Sequence, residues 1–274
     1  MRTGFIGAGN MGAALLSGYQ KALVGRGAIP TGGSPAIIVY DQDEGRAKAL
    51  AALEGVEAVS SLSGLVSQSD LLIIAIKPKD FDDVVPLIGK LEGIAGKIFV
   101  TIAAGVSIGW MQSRLGPESK IVRVMPNTPA LVGEGASALA RSGNVTDDEF
   151  RVALDIFGSV GMTVETDESL MDVVTGVSGS SPAFAYMYMK ALMENGVRNG
   201  LPPETARALA AQATLGAARM VVDTDFPLET LIKNVCSPGG TTVEGVETLE
   251  AKGFEGAIVS AMDAVIDKSK RMTK

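Results

Sequence analysis

The stretch Phe5-Ile6-Gly7-Ala8-Gly9-Asn10-Met11-Gly12 constrains this chain more than any other. Gly7, Gly9 and Gly12 spell G-x-G-x-x-G. In that pattern the first Gly permits a tight turn, the second admits a pyrophosphate close to the backbone, and the third lets the next helix pack on the strand. The motif alone also fits an ordinary Gly-rich turn, so its context decides. Thr3 to Ile6 reads as a buried strand and Met11 to Ala22 as a helix. The start of such a helix offers free N–H groups and the positive end of a dipole to a phosphate. Ile6, Gly7, Ala8, Gly9, Asn10, Met11 and Gly12 are therefore the expected dinucleotide-binding residues.

The rest of the first half extends the pattern. Ala36 to Tyr40 reads as a second strand after a Gly/Pro-rich loop, Gly25 to Pro35. Asp41 ends that strand, and Val56 to Val59 reads as a short third one. Asp41 is placed either to accept from a ribose 2′-OH or to cap the helix Glu44 to Leu53, and the two roles are compatible. Its separation from Gly12 exceeds the usual span of about 20 residues, which the loop explains. Leu71 to Ile76 is a continuous apolar run, as for a parallel strand covered on both faces, and it leads into Lys77-Pro78. Ligands of open α/β sheets sit beyond the carboxyl ends of strands, so Lys77 is expected to face the cofactor or else solvent, and Ala75, Ile76 and Pro78 beside it are further expected cofactor residues. Ile98 to Ile102 ends in Ala103-Ala104-Gly105, small enough for a flat ring to lie against the backbone or simply for tight packing. Lys120 to Met125 leads to Pro126-Asn127-Thr128-Pro129. A further strand is expected over Gly135 to Arg141 and another over Gly161 to Glu165. A capping box at Thr146 to Glu149 opens a helix between them.

From about Asp167 the period changes to 3.6. Ser169 to Asn199 reads as one helical region broken at Ser178-Gly179-Ser180-Ser181-Pro182. More helices follow, with an Ala/Gly-rich face from Ala206 to Ala218 suited to close helix contact. The expected architecture is α/β, a doubly wound sheet over residues 1–167 followed by an all-helical domain over 168–274. Ser237-Pro238-Gly239-Gly240-Thr241-Thr242 precedes a helix and offers hydroxyls and backbone amides. It is built to hold an anion, or else it is a connecting turn with Thr242 as N-cap.

Composition narrows the chemistry. The 274 residues contain no His and one Cys, Cys236. This excludes His triads, His–metal sites and an internal disulfide, and no metal site is expected. A net charge of −7 argues against nucleic-acid and anionic-membrane partners. The chain opens directly on its first strand and holds no run of about 20 apolar residues, so a cytoplasmic protein is expected. A ketone accepting hydride would need a proton donor for its alkoxide. A C=N acceptor can arrive protonated, so the lack of His leans the reading toward imine reduction.

Phe5 to Gly12, Ala75-Ile76-Lys77-Pro78, Ala103-Ala104-Gly105-Val106, Met125 to Pro129 and Asn234 to Thr242 together resemble pyrroline-5-carboxylate reductases. The stretch Asn234-Val235-Cys236-Ser237-Pro238-Gly239-Gly240-Thr241-Thr242 is similar to that family's signature, a highly specific one, and the resemblance covers essentially the whole chain. It implies reduction of 1-pyrroline-5-carboxylate to L-proline with NAD(P)H, the last step of proline synthesis. It also implies a Rossmann domain and a helical domain that interlocks with a second copy, dimers that in some members form rings, and a small-molecule substrate. Thr242 would hydrogen-bond the ring nitrogen. Gly240 and Thr241, within the loop from Ser237 and Gly239, would hold the carboxylate near Asp225, and Asn234 would touch the nicotinamide side. The chain departs from the family at Ser181, where the helix break usually has Gly, and at Ser61-Leu62-Ser63, where an Asn often meets the adenosine phosphate. With Asp41, that second departure weakens the case for NADPH over NADH. Competing readings are a two-domain hydroxyacid dehydrogenase, for which Lys190 is the nearest candidate donor, and a non-catalytic dinucleotide sensor.

Overall fold

A computed structural model describes residues 1–29 and 36–274. The loop expected over Gly25 to Pro35 lies outside the described residues from position 30 onward. Eight strands form one sheet in the order β3-β2-β1-β4-β5-β6-β7-β8. They are β1 (Thr3–Ile6), β2 (Ile37–Tyr40), β3 (Val56–Ala58), β4 (Leu71–Ile74), β5 (Ile98–Thr101), β6 (Lys120–Met125), β7 (Gly135–Arg141) and β8 (Gly161–Glu165). Strands β1 to β6 are mutually parallel, with Phe5 level with Val39 on one side and Ile73 on the other. Strand β7 runs antiparallel to β6 and parallel to β8. The reversal follows from the link Pro126–Glu134. It holds only the 3₁₀ turn Thr128–Val132, and a parallel return needs a crossover of about a dozen residues or more.

The sheet is covered on both faces, which explains its continuous apolar strands. Alternate residues of β4 go to opposite cores. Leu71 and Ile73 join Phe5, Leu15, Ile156 and Phe157, while Leu72 and Ile74 join Leu65, Phe81, Phe99 and Trp110. The first layer is closed by α1 (Asn10–Gly25) and α6 (Asp147–Gly158), the second by α3 (Leu62–Gln68), α4 (Phe81–Gly89) and α5 (Ile108–Leu115). Helix α2 (Glu44–Leu50) stops short of the expected Leu53. The capping box is present: Thr146 accepts from the Glu149 N–H, and the Glu149 carboxylate accepts from the Thr146 N–H.

The region expected as one kinked helix is three pieces. They are α7 (Met171–Val174), a π-helical turn over Thr175–Gly179, and α8 (Ser181–Arg198). Pro182 stands in the first turn of α8, where its missing N–H has no intrahelical partner to lose. The Ser180 N–H bonds the Thr175 carbonyl at 2.9 Å, the long step that makes the turn π. Helices α9 (Pro203–Asp223), α10 (Leu228–Val235), α11 (Thr241–Ala251) and α12 (Phe254–Met272) complete the chain.

Two compact units result. The sheet unit is Met1–Ser180 with Val265–Lys274, and the helical unit is Ser181–Ala264. In the helical unit α8 and α9 pack on each other. Gly196 lies at that contact: a Cβ there would stand 3.1 Å from Leu201 Cδ1 and 3.4 Å from the Ala206 Cβ. Among the described residues no helix is long and apolar enough to cross a membrane.

Candidate functional site

The three glycines of the first loop differ in what their missing side chains permit. Gly7 has φ +102°, and a Cβ on it would stand 2.6 Å from the Ala75 carbonyl oxygen. Only Gly fits that turn. A Cβ on Gly12 would stand 2.2 Å from the Gly7 carbonyl oxygen, so the third Gly lets α1 start against its own strand. Gly9 has nothing within 4 Å of its Cβ position. It leaves open space where a ligand's backbone-facing atoms can come close. Gly9 is also the N-cap of α1, without a side-chain cap, and the first turn carries no acid. Four of the other helices on this sheet are capped by side chains: α2 by Asp43, α3 by Ser61, α5 by Ser107 and α6 by Thr146. The first amides of α1, including those of Asn10 and Met11, are thus left for an anion.

The carboxylate of Asp41 is held in place from two sides. One oxygen accepts from the Ala8 N–H at 2.6 Å, and the other from the Asp43 N–H at 2.8 Å. It does not cap α2, because Asp43 accepts from the Gly45 and Arg46 amides there. The correction has a geometric cause: Asp43 is the residue directly before the helix, where a short side chain reaches back to the second and third amides.

A crevice of about 510 Å³ opens at the carboxyl edge of the sheet. Of the residues expected from sequence, Ile6, Gly7, Gly9, Asp41, Ala75, Ile76 and Lys77 line it. Pro78 opens the 3₁₀ turn Pro78–Asp80 just beyond, and Ala103 and Ala104 follow β5 at the same edge of the sheet. Tyr40, Leu62 and Arg46 also line the crevice and were missed. Arg46 sits in the first turn of α2, its guanidinium 3.2 Å from Asp43. A basic residue one turn past the acid of the second strand was the available signal. Ser61 is not a free stand-in for Asn: its hydroxyl accepts from the Gly64 N–H at 3.1 Å as the cap of α3. These features fit a dinucleotide: an open, uncapped glycine loop for the pyrophosphate, a fixed carboxylate for the ribose, and small residues where a flat ring would lie.

The second loop lies in the helical unit. Gly239 has φ +69°, and the Gly240 N–H closes a turn on the Ser237 carbonyl at 2.9 Å. Helix α11 begins at Thr241, with Gly240 as an N-cap lacking a side-chain cap. Thr242 is therefore inside the helix and not its cap, which corrects that alternative. The reason is that Gly240 already has the extended φ and ψ of a cap. Thr242 is half-buried, Thr241 exposed. Asn234 falls in the last turn of α10, and Asp225 in the exposed link between α9 and α10. Asn234, Asp225 and the loop Ser237–Thr242 thus belong to one unit, and the crevice residues to the other. Lys190 is held by Glu194 at 3.6 Å on the exposed face of α8.

Comparison with known proteins meets this geometry from both sides. Residues 2–105 match the family model described as NADP oxidoreductase coenzyme F420-dependent, and residues 168–272 match that for pyrroline-5-carboxylate reductase dimerisation. The pyrroline-5-carboxylate reductase of Methanosarcina acetivorans is 38% identical over all of this chain and 98% of its own length. A pyrroline-5-carboxylate reductase structure from Coxiella burnetii superposes with a TM-score of 0.90 at 29% identity, covering 100% of this chain and 98% of that one. That of Plasmodium falciparum, solved with NADP bound, gives 0.86 at 32%, with the same coverage. The chain belongs to the pyrroline-5-carboxylate reductase family.

Proposed function

We propose that this chain reduces 1-pyrroline-5-carboxylate to L-proline with NAD(P)H. The observation that carries the reading is the 38% identity to a reductase of that name over the whole chain. Bound NAD(P)H supplies the hydride. Residues 1–167 serve as the dinucleotide domain and 168–274 as the substrate and dimerisation domain, although 168–180 and 265–274 fold with the sheet unit.

The chain's own residues have separable tasks. The amides of α1 take the pyrophosphate, and Asp41 takes the adenosine ribose. Ala103, Ala104 and Asn234 border the nicotinamide. In the second loop the Gly240 amide is occupied by the Ser237 carbonyl, so Gly239 and Gly240 shape the turn. The carboxylate then falls to the amides of Thr241 and Thr242 at the uncapped start of α11, a favourable place for an anion. Thr242 Oγ1 accepts from, or donates to, the ring nitrogen, with Asp225 nearby. The protein needs no strong acid, because a protonated C=N carries its own activating charge. That fits a chain with no His.

The hydroxyacid-dehydrogenase reading gains no support, since its candidate donor Lys190 is an exposed side chain on α8, 3.6 Å from Glu194. The minimal assembly is a homodimer, and a ring of dimers is the next level this reading allows. The compartment is the cytoplasm. Oxidation of NADPH or NADH on adding 1-pyrroline-5-carboxylate, with proline as product, tests the proposal. Absence of turnover with both cofactors sinks it.

A further inference from the structure

The loop after β5 is held from behind by a segment far away in sequence. Lys274 donates its backbone N–H to the Gly105 carbonyl at 2.9 Å. The Lys274 carbonyl accepts from the Ser107 N–H at 3.2 Å and from the Ser107 hydroxyl at 2.6 Å. Gly105 has φ +77°, and a Cβ there would stand 2.8 Å from the Met272 carbonyl oxygen, so the loop residue is matched to the segment behind it. The same segment is tied to α7. The Asp172 carboxylate accepts from the Ser269 hydroxyl at 2.6 Å and the Thr273 hydroxyl at 3.2 Å. The Lys274 ammonium reaches Asp82 at 2.6 Å and lies 4.8 Å from the ring centre of Trp110. All of these residues belong to the sheet unit.

We propose that Ser269–Lys274 is a positioning strap, anchored by Asp172, which presets the loop Ala103–Gly105 to receive the dinucleotide. This rests on the functional reading above, in which that loop borders the nicotinamide. A strand end followed by a Gly with positive φ has several conformations open to it, and three backbone-directed hydrogen bonds select one. Asp172 anchors the strap and Ser107 receives it, so both act through the loop as positioning residues.

Trp110 is the single Trp of the chain, and with Lys274 beside its ring its emission reports whether the strap is docked. The test compares the full chain with a variant lacking Thr273 and Lys274 and with Asp172→Ala. The measurements are Trp110 emission, NADP⁺ binding by calorimetry, and KM for each substrate. If the receptive loop conformation falls to about a tenth of the population, the dissociation constant for NADP⁺ rises about tenfold. KM for NADPH should rise in parallel, while KM for the pyrroline carboxylate stays within about twofold. Folded variants whose Trp110 emission shows release, yet which bind NADP⁺ as the full chain does, overturn the strap. Unchanged Trp110 emission overturns it too, since nothing was then docked. Unfolding of both variants assigns the segment a purely structural role, against the proposal. A full chain that binds NADP⁺ but does not turn over pyrroline-5-carboxylate overturns the functional reading and leaves the strap to be judged on binding.

Discussion

The sheet unit and the helical unit use apolar side chains in opposite ways. In the sheet unit, Phe5, Ile38, Leu72, Ile73, Phe99 and Phe157 are almost wholly removed from water. Between Ser181 and Ala264 the only buried apolar residues are Ala206 and Ala210. Tyr186, Met187, Leu209, Leu215, Val222 and Ile232 are all exposed there. A sheet layered by helices on both faces closes its own core. Two long helices packed on each other through Ala and Gly bring their backbones close, and their larger side chains then point outward. An exposed apolar surface of that extent marks a surface awaiting a partner, and the match to a dimerisation model over residues 168–272 names the kind of partner.

The largest effect should follow from attacking that difference. Leu209→Glu puts a charge on the exposed face of α9. If a second copy covers that face, the variant should sediment as a monomer at micromolar concentration and lose nearly all activity, because an unpaired charge in a closed interface costs several kcal/mol. A monomeric wild type with full activity breaks the comparison outright. Gly12→Ala tests the sheet unit at its tightest point. A Cβ 2.2 Å from the Gly7 carbonyl must displace the start of α1. Dinucleotide binding should fall by at least about a hundredfold, roughly 2.7 kcal/mol, while the dimer persists.

Thr242→Ala comes next. Loss of one hydrogen bond to a charged nitrogen is worth about 1.5–3 kcal/mol, so kcat/KM should fall roughly ten- to a hundredfold. Since Thr242 is not the cap of α11, its melting temperature should stay close to wild type, and Thr242→Ser should restore activity. Full activity in Thr242→Ala removes the residue from the site. Asp41→Ser should shift the ratio of NADPH to NADH use toward NADPH by a smaller factor, about tenfold at most, because a carboxylate repels a 2′-phosphate. An unchanged ratio would leave Asp41 a purely structural brace between Ala8 and Asp43.

The smallest effect concerns pH. Partial burial works to raise the Glu149 pKa, but it is outweighed by hydrogen bonds from Lys120 and from the Thr146 amide and hydroxyl, which leave it below the ordinary glutamate value. A group with a depressed folded pKa stabilises above its unfolded pKa, and this is lost as pH falls through the folded value. Acid unfolding of the wild type should therefore be steeper below about pH 4.5 than that of Glu149→Gln. Equal slopes would show the capping box to be electrostatically silent.

Much of the first half was legible because its signals are local. A Gly pattern after a strand, an apolar run doubly covered, and a Thr-x-x-Glu cap each fix the conformation of a few neighbouring residues. The glycine loop and Lys77 at the crevice were read that way. Helix α3 was not, because Ser61 through Gln68 is short and only Leu65 and Val66 of it are buried. The cap of α2 went to Asp43 and not to Asp41 because capping depends on position to within a single residue.

What the sequence by itself determined is the set of strands, the period of the helices, the two glycine loops and the absence of any His to do acid–base work. Those follow from interactions within a few residues and from composition. Tertiary structure alone decided the antiparallel turn into β7, the π turn at Thr175–Gly179, the grip of Ala8 on Asp41 and the pairing of Lys274 with the loop after β5. Each of these joins groups remote in sequence, or resolves a competition between backbone hydrogen bonds. Such choices are settled by which partner is within about 3 Å once the sheet has formed, and no local pattern encodes that distance.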